Sequence, residues 1–477
     1  MRMLVAIANY GTKNQGFLEI LLDSLRDSTH DLHFVAMSEA PKEVAPDVEV
    51  VVGYPGPTPM SLPFAHRELF ATRRDDYDLF LYTEDDNLIW PHNIEAFIEA
   101  SEVLPPGDLA GFLRYEEYPD GTRSYCSIHS HYRWDPASVI EAGGQRYAHF
   151  TNLHAAAYLL NRDQLGRAIA TDRYVVAPHE GRYGILESAA ADPYDRCGFR
   201  KMVGIDRFDD FLIRHQPNKY LGELGATPEE VAVQLDALRM VHKGSRSDRT
   251  LSPLSSALDD SSYDRHLFDR ETEALVRAVP PGARRIVSVG SGAGYLESEL
   301  DRNGHQVVAV PVDAVMGEVA GASGLSVVDP DLSLLGELDE LSDVDCVVVA
   351  GLAHLAPEPA DLLAAAARAL RPGGSLVVSV PNLWAAKAKD VYYRLPARKR
   401  PRSTWTTFRA PDVSGGYEDT GMHDSNPVAI RRWLRAAGLN VTSVDLVATA
   451  RTRSGARLGR GPLGNVLMDQ IIATARR

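Results

Sequence analysis

The stretch DLFLYTEDDN, residues 78–87, decides how this chain is read: an apolar, strand-like run stops at three consecutive acids, Glu84, Asp85 and Asp86, with no basic neighbour. Carboxylates just past the C-terminal end of a strand lie where open α/β sheets bind ligands, and a hard divalent cation takes oxygen ligands held by a rigid element. The alternative is a solvated acidic turn before the helix expected to begin near Trp90-Pro91, because acids also suit helix N-termini.

Working outward, the acids are preceded by LPFAHRELFATRRDDYDLF, a helix-like segment carrying His66 and Arg67. The chain opens with MRMLVAIANYGTKNQGFLEILLDSL, which reads as a buried strand, a polar turn from Asn9 to Asn14 and an amphipathic helix. A second strand follows at LHFVAMSE. Strand, loop, helix and strand in this order predict a nucleotide-binding α/β unit.

On these residues the first half, roughly 1–245, resembles the GT-A-type glycosyltransferases, whose acidic D-x-D-like motif holds Mn²⁺ or Mg²⁺ against the diphosphate of a nucleotide sugar. The motif here is Glu84-Asp85-Asp86, an E-x-D variant. The resemblance implies a metal set of Glu84, Asp85 and Asp86, completed by a late histidine, for which His215 in FLIRHQPNKY is the candidate. It implies a nucleotide-sugar site made by Asn9 and Tyr10 at the base, Glu39 at a ribose hydroxyl, His66 and Arg67 on the helix-like segment, and Lys219 at phosphate. A helix end before Pro217 is the alternative for His215, and plain core for Tyr10. Glu187, in GILESAAADPYDRCGF with Asp192 and Asp195, occupies the region where inverting members place a carboxylate base. In a retaining enzyme it would instead open a helix. GFLRYEEY, YCSIHSHYRW and HFTNLHAAAYLL alternate as strands do, and His129 and His131 fall on one strand face as surface histidines.

After VHKGSRSDRTLSPLSSALDDSSYDR, a polar stretch read as a linker over 246–265, the second half starts with RRIVSVGSGAGYLESEL. This is a β-branched strand, a glycine turn with Gly290, Gly292 and Gly294, and a helix, which lets a ligand approach the backbone. HQVVAVPVD and VDCVVVAGLAHLAPEP read as further strands, and LLAAAARALRPGGSLVVSVPNLW as helix, Pro-Gly-Gly turn and strand. YEDTGMHDSNPVAIRRWLRAAGLNV reads as a late helix. Together these segments, about 266–477, are similar to class I S-adenosylmethionine-dependent methyltransferases. The resemblance implies S-adenosylmethionine bound at Gly290, Gly292 and Gly294, Asp329 near the adenine, and His354 as the histidine after the fourth strand. Two positions depart from the pattern: Ser288 stands where an acid precedes the first glycine, and Pro311 where an acid closes the second strand. Asp313 is the nearest substitute. His354 and His423 are the candidates for handling the acceptor hydroxyl.

The expectation is an α/β protein of two Rossmann-like domains, one transferring a sugar and the other methylating a hydroxyl of the same glycan or glycoside acceptor. Two alternatives stand beside it: one domain is catalytic and the other a binding, scaffolding or inactive module, or the acceptor is a non-carbohydrate natural product. Residues 1–250 carry 25 basic and 38 acidic side chains, against 25 and 27 in the remainder, which argues against a nucleic-acid partner. The basic stretch RLPARKRPRSTWTTFR, 394–409, reads as a solvated loop, a cover over the methyl acceptor, or a patch for a lipid-linked acceptor or membrane surface. Three cysteines in no metal spacing, no apolar run of bilayer length and a strand at the outset predict a cytoplasmic protein.

Overall fold

The computed structural model describes residues 1–125, 132–180, 183–221, 225–252, 272–385, 387–388, 413, 415–447 and 468–477. Cys126, His129, His131 and the basic stretch 394–409 lie outside the described residues. The chain divides into two compact units, Met1–Leu235 and Asp236–Arg477.

The first unit begins with β1 (Arg2–Ala8), α1 (Gln15–Arg26), β2 (Asp31–Ser38), β3 (Val48–Val52), α2 (Ala65–Thr72) and β4 (Leu79–Glu84). Then come β5 (Asn87–Leu88), α3 (Pro91–Val103), β6 (Asp108–Ala110), β7 (Leu113–Glu117), β8 (Arg123–Ser124), β9 (Ile140–Ala142), β10 (Gln145–His149) and β11 (Ala157–Asn161). It continues through α4 (Arg162–Ile169), α5 (Ile185–Asp195), β12 (Arg200–Gly204) and β13 (Leu212–His215) into α6 (Pro228–His242). The boundary between the units falls within α6.

The main sheet has the order β11-β4-β1-β2-β3, parallel except for β11. Met3 to Ile7 of β1 are fully buried, as in a parallel strand covered on both faces. α1 covers the sheet because Leu18, Leu21, Leu22 and Leu25 recur on one helical face. Ala8 pairs with Glu84, so β1 and β4 end side by side and Asn9 arrives next to Asp85. Two smaller sheets have the orders β6-β12-β10-β9 and β5-β13-β7-β8. In the second of these Asn87 pairs with His215, which brings the acids after β4 to the end of β13.

The second unit contains α7 (Glu273–Ala278), β14 (Arg285–Ser291), α8 (Tyr295–Arg302), β15 (Gln306–Pro311), α9 (Ala314–Ala322), β16 (Ser326–Val327) and β17 (Val344–Ala350). They are followed by α10 (Pro359–Arg368), β18 (Leu370–Pro381), α11 (Gly416–Thr420), α12 (Pro427–Ala436), β19 (Asn440–Val447) and β20 (Gln470–Arg476). One seven-stranded sheet runs β16-β15-β14-β17-β18-β20-β19, with β20 alone antiparallel to its neighbours. Alternate residues of β14 and β17 feed two apolar layers. Val287, Val289, Val347 and Val349 belong to one layer, and Ile286, Cys346 and Val348 to the other.

The expected Pro-Gly-Gly turn is present as an irregularity within β18. Leu370 pairs with Val344 and Ser375 with Cys346, so Arg371–Gly374 loop out between two paired points, with Gly373 at φ +74°. The first residues of the expected linker belong to the second unit. The Leu251 amide donates to the Val312 carbonyl at 2.7 Å, Thr250 bridges Asp313, and Arg246 pairs with Glu318 at 2.5 Å.

Candidate functional site

At the end of β4 the three acids diverge. Asp85 is 5% exposed and accepts from the Asn9 amide at 2.6 Å and the Asn14 amide at 2.8 Å. Burial pushes its carboxyl up to about 6 against the pull of those two amides. Asp86 turns the other way, with its Oδ2 lying 3.6 Å from His215 Nε2 and 3.3 Å from Lys219 Nζ. Burial opposes its ionisation, but His215, Lys219 and Arg114 outweigh it and hold the carboxyl below its ordinary value. Its other oxygen, Oδ1, is buried with no hydrogen-bond partner among the described residues. Glu84 is pushed up to about 8 by burial and the charge of Asp86, with Arg114 opposing and Glu187 and Asp85 adding to the rise.

The four-residue metal set Glu84, Asp85, Asp86 and His215 does not assemble. Among the described residues no group of three His, Cys, Asp or Glu side chains converges on a cation position. The physical reason is that Asp85 is consumed by two amides on the β1 side, which leaves Asp86 and His215 as the pair that faces each other. His215 is oriented from behind. Its Nδ1 donates to Glu116 Oε1 at 2.6 Å, Glu116 Oε2 accepts from the Tyr220 amide at 2.8 Å, and the Tyr220 ring stacks on the imidazole.

Of the residues expected at the nucleotide sugar, Asn9 is buried at the base of the acids, while Tyr10 is 55% exposed beside them. Glu39 accepts from the Gly11 amide at 3.1 Å, and Lys42 Nζ donates to the carbonyls of Asn9 and Gly11 at 2.9 and 2.8 Å, so the loop after β1 is tied to the end of β2. His66 and Arg67 are corrected: both are core residues. His66 is wholly buried, bonded to the Tyr158 hydroxyl at 2.5 Å and stacked on Tyr82, and burial drives its imidazole well below its ordinary pKa. Arg67, 1% exposed, pairs with Asp192 at 2.8 Å and donates to the carbonyls of Tyr174, Ser188 and Ala189. Their polarity in the sequence suggested a ligand. Apart from the Pro63 carbonyl, which His66 Nδ1 meets at 2.5 Å, the partners come from α5 and from Tyr158 and Tyr174, distant in sequence.

Glu187 lies in the first turn of α5, half-buried, and its charge is felt at Glu84. Sequence reasoning missed Arg114 and Glu116, which the alternation of β7 turns inward, and Lys201 on β12. Lys201 is fully buried, donates to the Asn152 carbonyl at 2.9 Å and is pushed down to about 7 by burial and by Arg114.

In the second unit the glycine turn follows β14 as expected. Gly290 and Gly294 have φ of +78° and +87°. A Cβ on Gly290 would meet the Leu352 side chain at 2.8 Å and one on Gly294 the Leu325 side chain at 2.6 Å, side-chain ends that can shift, so it is the positive φ that favours glycine at both positions. Ser291 pairs with Pro311, which holds the turn against the end of β15. The Ser291 hydroxyl is wholly buried and has no hydrogen-bond partner among the described residues. Asp313, buried two residues beyond Pro311, caps α9 by accepting from the Met316 amide at 2.9 Å. Asp329 is exposed after the edge strand β16. Sequence reasoning also missed Glu297, a wholly buried acid in the first turn of α8 whose Oε1 accepts from the Ser288 hydroxyl.

His354 and His423 are brought together after β17: the His423 amide donates to the His354 carbonyl at 2.8 Å. His354 is wholly buried. His423 is partly exposed, stacks on Tyr417 and donates from Nε2 to the carbonyls of Ala356 and Pro357, each at 3.1 Å. That arrangement puts the imidazole proton on Nε2 and leaves Nδ1 as the acceptor.

Residues 263–444 match a family model described as a methyltransferase domain. A ubiquinone biosynthesis O-methyltransferase of Xylella fastidiosa is 29% identical over 191 residues, which is 39% of this chain and 72% of that protein. An uncharacterized methyltransferase of Mycobacterium tuberculosis is 35% identical over 136 residues, 28% of this chain and 53% of its own length. Among solved structures, an S-adenosylmethionine-dependent methyltransferase from Mesorhizobium loti shares 23% identity with a TM-score of 0.30, covering 43% of this chain and 96% of that one. Magnesium protoporphyrin IX methyltransferase from Synechocystis shares 14% with a TM-score of 0.31, covering 46% and 86%. The C-terminal part of the chain is a methyltransferase domain, and the strand order described above is its Rossmann-like class I fold.

Proposed function

We propose that the second unit transfers a methyl group from S-adenosylmethionine to an acceptor oxygen. The match of residues 263–444 to the methyltransferase family carries this reading, and the O-methyltransferase relative favours oxygen as the acceptor atom. The cofactor's sulfonium supplies the methyl group when bound. The residues present fit it: a glycine turn, an unsatisfied buried Ser291 hydroxyl and the buried Asp313 carboxylate gather at the carboxyl ends of β14 and β15, where sheets wound this way bind nucleosides. Gly290, Gly292 and Gly294 present backbone to the cofactor, and Asp313 or Asp329 accepts from its nucleoside. His423, whose bonds among the described residues are made through Nε2 and whose ring is held by Tyr417, takes the proton of the acceptor hydroxyl on Nδ1, and the buried His354 holds His423 in place through its carbonyl. Calorimetry with S-adenosylmethionine tests the reading: the wild-type chain gives a heat of binding and Gly292→Val gives none. His423→Ala lowers methyl transfer to hydroxyl acceptors at unchanged cofactor affinity. A wild-type chain without any heat of binding removes the proposal.

A second reading concerns the first unit and is favoured by the buried, partnerless Oδ1 of Asp86 at a strand end. We infer that this unit transfers a sugar from a nucleotide sugar, with Asp86 and the Glu116-oriented His215 holding Mn²⁺ or Mg²⁺ at the diphosphate, Lys219 beside the phosphates and Glu187 serving the acceptor hydroxyl. The two units then act successively on a glycan or glycoside. Turnover of a panel of nucleotide sugars, with and without chelator, is the test. Asp86→Ala abolishes turnover and leaves cofactor binding by the second unit intact. Full activity of that variant in excess chelator removes the inference.

A further inference from the structure

Ser288 sits in the middle of β14, wholly buried between β15 and β17. Its side chain shares a face with Ile286, in the layer that also holds Leu296 and Leu300 of α8. An apolar residue is expected at such a position. The hydroxyl instead donates to Glu297, which α8 inserts behind the glycine turn, three residues after Gly294. Removing a carboxylate from water is costly, and a well-fitted apolar side chain is often neutral or stabilising in such a place. The first turn of a helix offsets part of that cost. A fully buried acid at this point, bonded to a serine of the strand that leads into the glycine turn, is placed to act on what that turn binds.

The position supplies one. Glu297 stands behind the turn at the carboxyl end of β14, on the side of the sheet where the cofactor reading puts S-adenosylmethionine. That molecule carries an ammonium and a sulfonium, both positive. A buried carboxylate acts on such charges through a medium of low dielectric, where its influence extends further than in water. We propose that Glu297, reaching β14 from helix α8, supplies the negative charge beneath the glycine turn that β14 lacks at Ser288, and is a positioning residue for the sulfonium of the cofactor, the one charge that S-adenosylhomocysteine does not share. Ser288 orients the carboxylate. The acid missing from the strand has been moved to the helix.

This inference rests on the cofactor reading, and its test separates the two. Binding of S-adenosylmethionine and of S-adenosylhomocysteine, which lacks the sulfonium charge, is measured by calorimetry on the full chain. Glu297→Gln keeps the shape and the acceptor for Ser288 but removes the charge. It weakens S-adenosylmethionine about tenfold and S-adenosylhomocysteine clearly less, so the ratio of the two affinities falls. Adding Ser288→Asp to Glu297→Gln returns a carboxylate to the strand and restores the ratio. Equal weakening of both ligands would mean that Glu297 only scaffolds the turn, and overturns the proposal, as does wild-type affinity in Glu297→Gln. If Glu297→Gln does not fold, Ser288→Ala decides: it retains the charge but not its orientation, and loses about threefold in S-adenosylmethionine affinity, whereas unchanged affinity overturns the proposal. A wild-type chain that binds neither ligand overturns the cofactor reading itself.

Discussion

At the end of β4 three acids follow one another along the chain, whereas at the ends of β14 and β15 the carboxylates arrive from helices. Asp85 is held by amides from the neighbouring loop, and Asp86 by His215 and Lys219 from other elements. In the second unit Glu297 enters from the first turn of α8 and Asp313 from the cap of α9, while the strands carry Ser288 and end in Pro311. A sheet can thus present buried charge by two routes. A strand-end acid is satisfied from outside and needs donors brought to it. A helix-borne acid is partly satisfied by its own helix N-terminus and needs less help.

The largest effect is expected in the core of the first unit. Arg67→Met leaves Asp192 as a buried carboxylate without its guanidinium, and stability should fall by about 3–5 kcal/mol. Thermal melting followed in parallel with calorimetry would show the first unit unfolding early while the heat of cofactor binding by the second unit is unchanged. Loss of both together would mean that the units do not fold independently.

A smaller effect concerns where the second unit starts. A fragment beginning at Ser245 keeps the Leu251–Val312 hydrogen bond and the Arg246–Glu318 pair; one beginning at Ser262 loses both. The shorter fragment should be less stable by about 1–2 kcal/mol in urea titration. Equal midpoints would show that the residues before Ser262 are a linker in energy as well as in composition.

Asp313→Ala probes a helix-borne acid. It removes the cap of α9, which should cost about 1 kcal/mol, and an acid proposed at the nucleoside. Asp313→Asn keeps the cap but not the charge. Stability regained in Asn without cofactor affinity separates capping from binding, and regaining both assigns Asp313 to the cap alone.

The smallest effect depends on pH. Glu84 titrates near 8 in the folded chain against 4.5 ordinarily, so folding favours its protonated form and the penalty for ionising it grows as pH rises from 4.5 through 8. Glu84→Gln cannot ionise. Its melting temperature relative to wild type should therefore climb by about 2 °C or more between pH 5 and pH 9, the response a domain of this size gives to roughly 0.5–1 kcal/mol. A difference that stays flat with pH would place the carboxyl in contact with water.

The sequence made the strands and their order legible where periodicity is strong. The runs of β1, β14 and β17 are apolar throughout because both sheet faces are covered, and the turn glycines announce positive φ at Gly290 and Gly294. The fate of polar residues in helices was not legible. His66 and Arg67 read as ligand contacts because their partners, Tyr158 and Asp192, are about a hundred residues away, and nothing local distinguishes a satisfied core arginine from a phosphate-binding one. Glu297 was passed over for the converse reason. An acid in the first turn of a helix is ordinary, and only its depth and its bond to Ser288 mark it out. Glu116 was legible in part, since alternation along β7 puts it on the same face as Arg114, but the histidine it orients lies on another strand.

The antiparallel strand β20 also bears on the order in which the second unit can be assembled. Among the described residues β19 pairs with the sheet through β20, and β20 fills the place between β18 and β19. Roughly 90 residues separate Pro381 from Gln470, several seconds of synthesis at about 5–20 residues per second. During that interval the edge of β18 that carries Leu376, Val377, Val378 and Val380 lacks β20 and can be approached by another strand. A chain stalled before β20 is made is thus adhesive at the β18 edge, and a chaperone that shields an apolar strand edge would find its target there.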